Sequence, residues 1–112
     1  MPMMFGFSGQ RRQLLEAEAR RFAAEAYGYG ALRAFLVGDF AAGRVGTETE
    51  LELVVVQETD EPFHRRADFW VAHIRPRVGT RFLVYTPQEV DAVEEDDALL
   101  LEAFGSGEAL VG

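Results

Sequence analysis

The chain has 112 residues, nearly half of them apolar, so it is expected to bury one modest core as a single globular domain, residues 1–112, and not to stay disordered. Nineteen acids stand against eleven bases for a net charge of −8; every base is Arg and none form a basic cluster, which argues against a nucleic-acid backbone as partner. There is no Cys, which excludes disulfides, thiolate chemistry and Cys-ligated zinc.

The opening stretch MPMMFGFSGQRR has apolar residues with no basic segment before them, unlike a secretory leader. No apolar run approaches the roughly 20 residues of a membrane helix, so a cytoplasmic protein without a membrane partner is expected. Ser8 is placed to cap a helix reaching Tyr27, with Leu15, Ala19, Phe22 and Ala26 at helical spacing. Tyr27-Gly-Tyr-Gly30 then stops it. Ala31–Val37 (ALRAFLV) reads as a buried strand ending at Gly38, and the Ala-rich Asp39–Gly43 suits a single helical turn.

Glu50–Gln57 (ELELVVVQ) alternates and then turns wholly apolar, as a strand does when it starts at an open rim and enters the middle of a sheet. Asp60–Arg75 is predicted helical, with Phe63, Ala67, Trp70, Val71 and Ile74 on its core face and Pro76 and Gly79 closing it. Arg81–Tyr85 is a third strand, and Thr86-Pro-Gln-Glu89 a capping sequence that opens another helix. A last helix over Asp97–Phe104 and a short edge strand over Gly107–Val111 complete an α/β (α+β) domain, a mixed sheet of three to four strands flanked by helices.

One constellation could carry chemistry. A strand ends at Gly38 and a helical turn follows at once, so free N–H groups face the rim, where an anion could sit. The next strand opens with Glu50 and Glu52, which share a face and could converge on one hard cation such as Mg²⁺. A phosphate-side turn beside an acidic pair is the minimal layout for metal-assisted phosphoryl or nucleotidyl transfer. His64 and His73 lie half a helical turn out of phase and form no metal pair. Arg65, Arg66, Arg75 and Arg77 read as one basic helix face, balancing the chain's own acid.

In this order and context the chain resembles the minimal nucleotidyltransferases of the DNA polymerase β-like superfamily. Their pattern is a strand, Gly-Ser, a short helix closed by Gly, and then Asp-x-Asp on the next strand. Gly38 matches the Gly; Ala41 and Gly43 match the short helix; Asp39 stands at the Ser, Glu50 and Glu52 at the two aspartates, and Leu53 at the Leu after them. Leu83-Val-Tyr-Thr-Pro-Gln-Glu89 is similar to the last core strand and the helix start after it, and Leu99–Gly112 to the closing helix and strand. The resemblance implies Gly38 and Asp39 at the nucleotide, Glu50 and Glu52 at the metal and the chemistry, and Mg²⁺ with an NTP as cofactors of an active member.

The departures point the other way. A carboxylate at Asp39, about 4 Å from a phosphate charge, opposes it by about 4 kcal/mol at an effective dielectric of about 20, roughly a thousandfold in affinity. The longer Glu arms shift a metal that tolerates only near-octahedral geometry. The third carboxylate of the pattern falls at Arg81, or at Phe82 with a one-residue slip, and Arg81 could form a salt bridge with Glu50 or Glu52 in place of the metal. These departures lead us to expect a catalytically impaired member, and the resemblance implies for it an antitoxin-type role as partner of a small all-helical HEPN-class toxin. The alternatives are an active Mg²⁺-dependent enzyme moving NMP to a protein or small-molecule acceptor, and a nucleotide-binding or homo-oligomeric scaffold without catalysis.

Overall fold

The computed structural model describes residues 2–92, 102, 103, 105 and 107–111, with side chains from Gly9 onward. Helix α1 (Pro2–Ala26) ends in a 3-10 turn, Tyr27–Tyr29. There follow β1 (Arg33–Val37), the short helix α2 (Gly38–Ala41), β2 (Leu51–Val56), α3 (Phe63–Ile74), β3 (Thr80–Tyr85), α4 (Pro87–Asp91) and β4 (Glu108–Val111). The four strands form one mixed sheet in the order β3-β2-β1-β4. β2 and β3 run parallel, while β1 pairs antiparallel with β2 and with β4.

Strand side chains alternate between faces, which divides the core in two. Ala34, Leu36, Leu51, Leu53, Val55, Phe82 and Val84 meet Leu15, Ala19, Phe22 and Ala26 of α1 and Trp70 and Ile74 of α3. Phe35, Val37 and Val54 form a second cluster on the other face, with Ala103 against it. In the first cluster the Trp70 ring lies 5.6 Å from Phe22 and stacks on Phe82 at 6.3 Å. Its indole N–H donates to Gln57 Oε1 (3.0 Å), and Gln57 Nε2 donates to Tyr29 O (3.0 Å), so one amide ties α3, β2 and the turn after α1.

Two ionic clusters fix the helices. Glu18 is buried; it accepts both arms of the Arg21 guanidinium at 2.9 Å and the Arg77 backbone N–H at 2.9 Å. Arg21 also donates to Ile74 O (2.8 Å), locking α1 to the end of α3. The Arg21 bonds hold the Glu18 carboxyl below its ordinary range against the opposing effect of burial. At the other end of α3, Arg66 donates to Val84 O (3.1 Å) and to Glu89 Oε1 (2.6 Å). That same Glu89 completes the capping box with Thr86, and the Arg66 bond keeps it too below the usual carboxylate range.

Several expectations need correction. Ser8 lies inside α1, which starts at Pro2, a residue suited to a first turn because its missing N–H would have no intrahelical partner. α3 starts at Phe63, since Pro62 stays extended and Asp60 precedes it in a loop. Phe63 and Val71 are exposed: Phe63 lies beyond the core's edge, against Tyr85 (5.2 Å) and Arg66. The arginines do not make one face, because Arg66 turns inward and Arg75 caps the helix with left-handed backbone. Of the helix expected over 97–104, only 102 and 103 are among the described residues, and both are helical; the edge strand is β4.

Candidate functional site

β1 ends, and β2, β3 and β4 begin, at the same end of the sheet. There Val37 lies opposite Glu52, and Glu52 opposite Arg81. Register partners project to the same side, so the three form a row on the face of the second cluster. Arg81 Nη1 stands 3.6 Å from Glu52 Oε1, with the arginine 61% exposed and the glutamate 25%. Phe82 points to the opposite face and is buried in the first cluster, so Arg81 and not Phe82 is the residue beside Glu52.

The turn after β1 requires Gly38. Its φ is +82°, and a Cβ there would overlap the Glu52 carboxylate. Glu50 lies instead against Gly79, where an added Cβ would come within 2.6 Å of its Oε2. The two glutamates therefore rest on glycines flanking β2 on opposite sides, one after β1 and one before β3. Asp39 is paired with Arg44, whose Nη2 donates to Oδ1 at 3.0 Å and whose backbone N–H donates to Asp39 O at 2.9 Å. An open cleft of about 230 Å³ is lined by Asp39, Glu48, Thr49, Glu50, Glu52 and Arg81. Its outer wall is anchored by α1, because Arg11 donates twice to Thr49 O, at 2.7 and 3.0 Å.

The structure thus brings together all five residues singled out in the sequence: Gly38, Asp39, Glu50, Glu52 and Arg81. Among the described residues, no group of three or more His, Asp or Glu is arranged to hold a metal ion. Glu89 is committed to its cap and to Arg66, and the run Glu94, Glu95, Asp96 and Asp97 lies outside the described residues. His73 stacks on Phe69 at 4.1 Å, with Nδ1 2.8 Å from Phe69 O, while His64 is exposed elsewhere on α3.

Two site residues escaped sequence reasoning. Arg44 sits close after Asp39, so charge pairing across the turn was a readable signal. Glu102 carried no such signal: its Oε1 accepts the Gly38 backbone N–H at 3.2 Å from far along the chain. β4 opens at Glu108 opposite Leu36, and Gly107 N–H donates to Glu102 O (2.8 Å). Ala103 packs into the second cluster, and its neighbour Glu102 is thereby set over the end of β1.

The four-stranded mixed sheet flanked by helices is an α+β fold that matches a nucleotidyltransferase-like neighbour. A solved structure from Sulfolobus solfataricus, of a protein provisionally assigned as a nucleotidyltransferase, superposes with a TM-score of 0.59 at 14% identity, covering 80% of this chain and 82% of that one. Such low identity speaks to the fold alone. No family profile matches the chain, and no curated protein matches it. Among the described residues no helix is long and apolar enough to cross a membrane.

Proposed function

We propose that this chain is a nucleotidyltransferase-fold protein that does not transfer nucleotides and instead serves as a partner subunit, of the antitoxin type toward a small helical protein. The observation that carries the reading is the Glu52–Arg81 pair in the central row of the rim. Mg²⁺ requires near-octahedral oxygen donors. Here the two glutamates rest on different glycines, and the only side chain directly across from Glu52 on β3 is a cation. This donor set does not fit the metal. Asp39 and Glu48 add negative charge to the cleft where a triphosphate would have to lie.

A binding role draws support from exposed apolar side chains. Leu14, Tyr27, Leu32, Phe63 and Val71 are each roughly half exposed or more, and a groove of about 460 Å³ runs between α1 and β4 over Leu36 and Phe40.

Calorimetry with Mg²⁺, and with ATP in its presence and absence, is expected to show no binding below millimolar concentrations. Labelled ATP is expected to leave no nucleotide on any acceptor, while a helical protein co-purifies with the chain. Tight Mg²⁺ binding with label transfer abolished by Glu52→Gln would instead establish an active enzyme.

A further inference from the structure

We propose that the chain forms a two-fold dimer by antiparallel pairing of β4 with the β4 of a second copy, whose side chains fill the groove between α1 and β4. The two outer edges of the sheet differ. Gly79 O and Tyr85 O accept from Leu51 and Gln57 at the two ends of β2, so the alternate carbonyl of Val84 points outward, where Arg66 donates to it at 3.1 Å. A charged side chain on the β3 edge blocks the addition of a strand. β4 is the other outer strand, and among the described residues no strand pairs with its far side.

The open edge adjoins a cavity of matching shape. Glu108 lies opposite Leu36 and Val111 opposite Ala34, on the helix-covered face, and Leu110, the extra residue of a bulge, packs against the same cluster. Glu108 and Leu110 line the groove of about 460 Å³ together with Arg20 and Ala23 of α1 and Phe40 of α2. Its apolar floor therefore ends at an unpaired strand edge. An extended segment fits there, bonding its backbone to β4 and laying its side chains in the groove.

Charge and closure select a second copy as that segment. Arg11 is tied to the rim, and Ala26 leads through the 3-10 turn to the start of β1, so α1 and β4 run in the same direction. An antiparallel β4 carries the second copy's Glu108 to the Arg20 end of the groove, and the axis repeats the contact. Glu108 makes no ion pair among the described residues, and Arg20 is 82% exposed with its Glu16 partner 4.0 Å away. Near the axis the second copy's Leu110 falls beside Leu110. Because Arg66 closes the β3 edge, β4 cannot add head-to-tail to β3, and assembly stops at two copies. Phe63 and Val71 of α3 stay exposed on the β3 side, clear of the dimer and open to a different protein.

Sedimentation equilibrium of the whole chain tests this. At tens of micromolar the chain is expected at twice its 12.5 kDa mass. Leu110→Lys sets a cation on the edge and is expected to give a monomer. Arg20→Glu and Glu108→Arg, both at exposed positions, are each expected to raise the dimer dissociation constant about tenfold, since symmetry turns two ion pairs into repulsions at once. The double variant Arg20→Glu with Glu108→Arg is expected to restore it. A wild-type monomer at that concentration, or growth beyond two copies, would overturn the proposal. So would a dimer that survives Leu110→Lys, or a charge reversal that the double variant does not rescue. Amide exchange gives a further readout: protection of β4 only in the presence of a different, helical protein would assign the edge to that protein and overturn the pairing of copies.

Discussion

The helix-covered face of the sheet and its glycine-turn rim both use carboxylate–guanidinium pairs, but they use them differently. On the covered face Glu18 is buried, accepts three hydrogen bonds and ties α1 to the α3–β3 connection. At the rim Glu52 and Arg81 meet at 3.6 Å with the arginine mostly in water, and Asp39 and Arg44 are both exposed. A buried acid that loses its partner is left with an uncompensated charge, whereas an exposed pair contributes about 0–1 kcal/mol. The covered face therefore constrains its residues through stability. The rim does not, and its charges could change without cost to the fold.

This contrast can be broken or sharpened by measurement. The largest effect is expected from Trp70→Ala, which removes the most buried ring and the N–H that orders Gln57; urea unfolding should show a loss of about 3–5 kcal/mol. Next comes Glu18→Ala, expected to cost about 2 kcal/mol because it removes the acceptor of the Arg77 N–H and two of the hydrogen bonds of Arg21. A loss below about 0.5 kcal/mol there would erase the distinction between the two regions, since that is the scale of an ordinary surface change.

Acid titration tests the same clusters. Glu18 and Glu89 are held below the ordinary carboxylate range by Arg21 and Arg66. Their unfolded-state values lie near about 4.3, so between those and the lower folded values the unfolded chain binds more protons. Their stabilisation is thus present above the unfolded-state range and is lost as pH falls through the folded values. Circular dichroism should show stability falling with pH in that window, and Glu18→Gln with Glu89→Gln should flatten the fall.

The smallest stability change is expected at the rim: Arg81→Ala should move the unfolding free energy by no more than about 0.5 kcal/mol. Arg81→Asp puts an acid opposite Glu52 and is expected to create weak Mn²⁺ binding, visible by electron spin resonance. If it binds no Mn²⁺, then Arg81 alone is not what excludes the metal.

Much of this was legible residue by residue. The helical spacing of Leu15, Ala19, Phe22 and Ala26 gave the buried stripe of α1, and Thr86 with Glu89 gave the cap of α4. Boundaries drifted where a proline or the limit of the core intervened, as at Pro62 and Phe63. Whether Arg81 or Phe82 faced Glu52 could not be read from spacing, because a one-residue shift in strand register exchanges the faces.

By itself the sequence determined the local periodicities, the turn at Gly38 and the set of charges gathered near it, because these follow from backbone sterics and side-chain spacing over a few residues. Only the tertiary structure decided how those charges pair. Arg81 meets Glu52 because β3 lies parallel to β2 in one register, and Glu102 reaches Gly38 because β4 returns alongside β1. Such contacts depend on the closure of long loops onto a shared sheet, and no short window of residues contains that information.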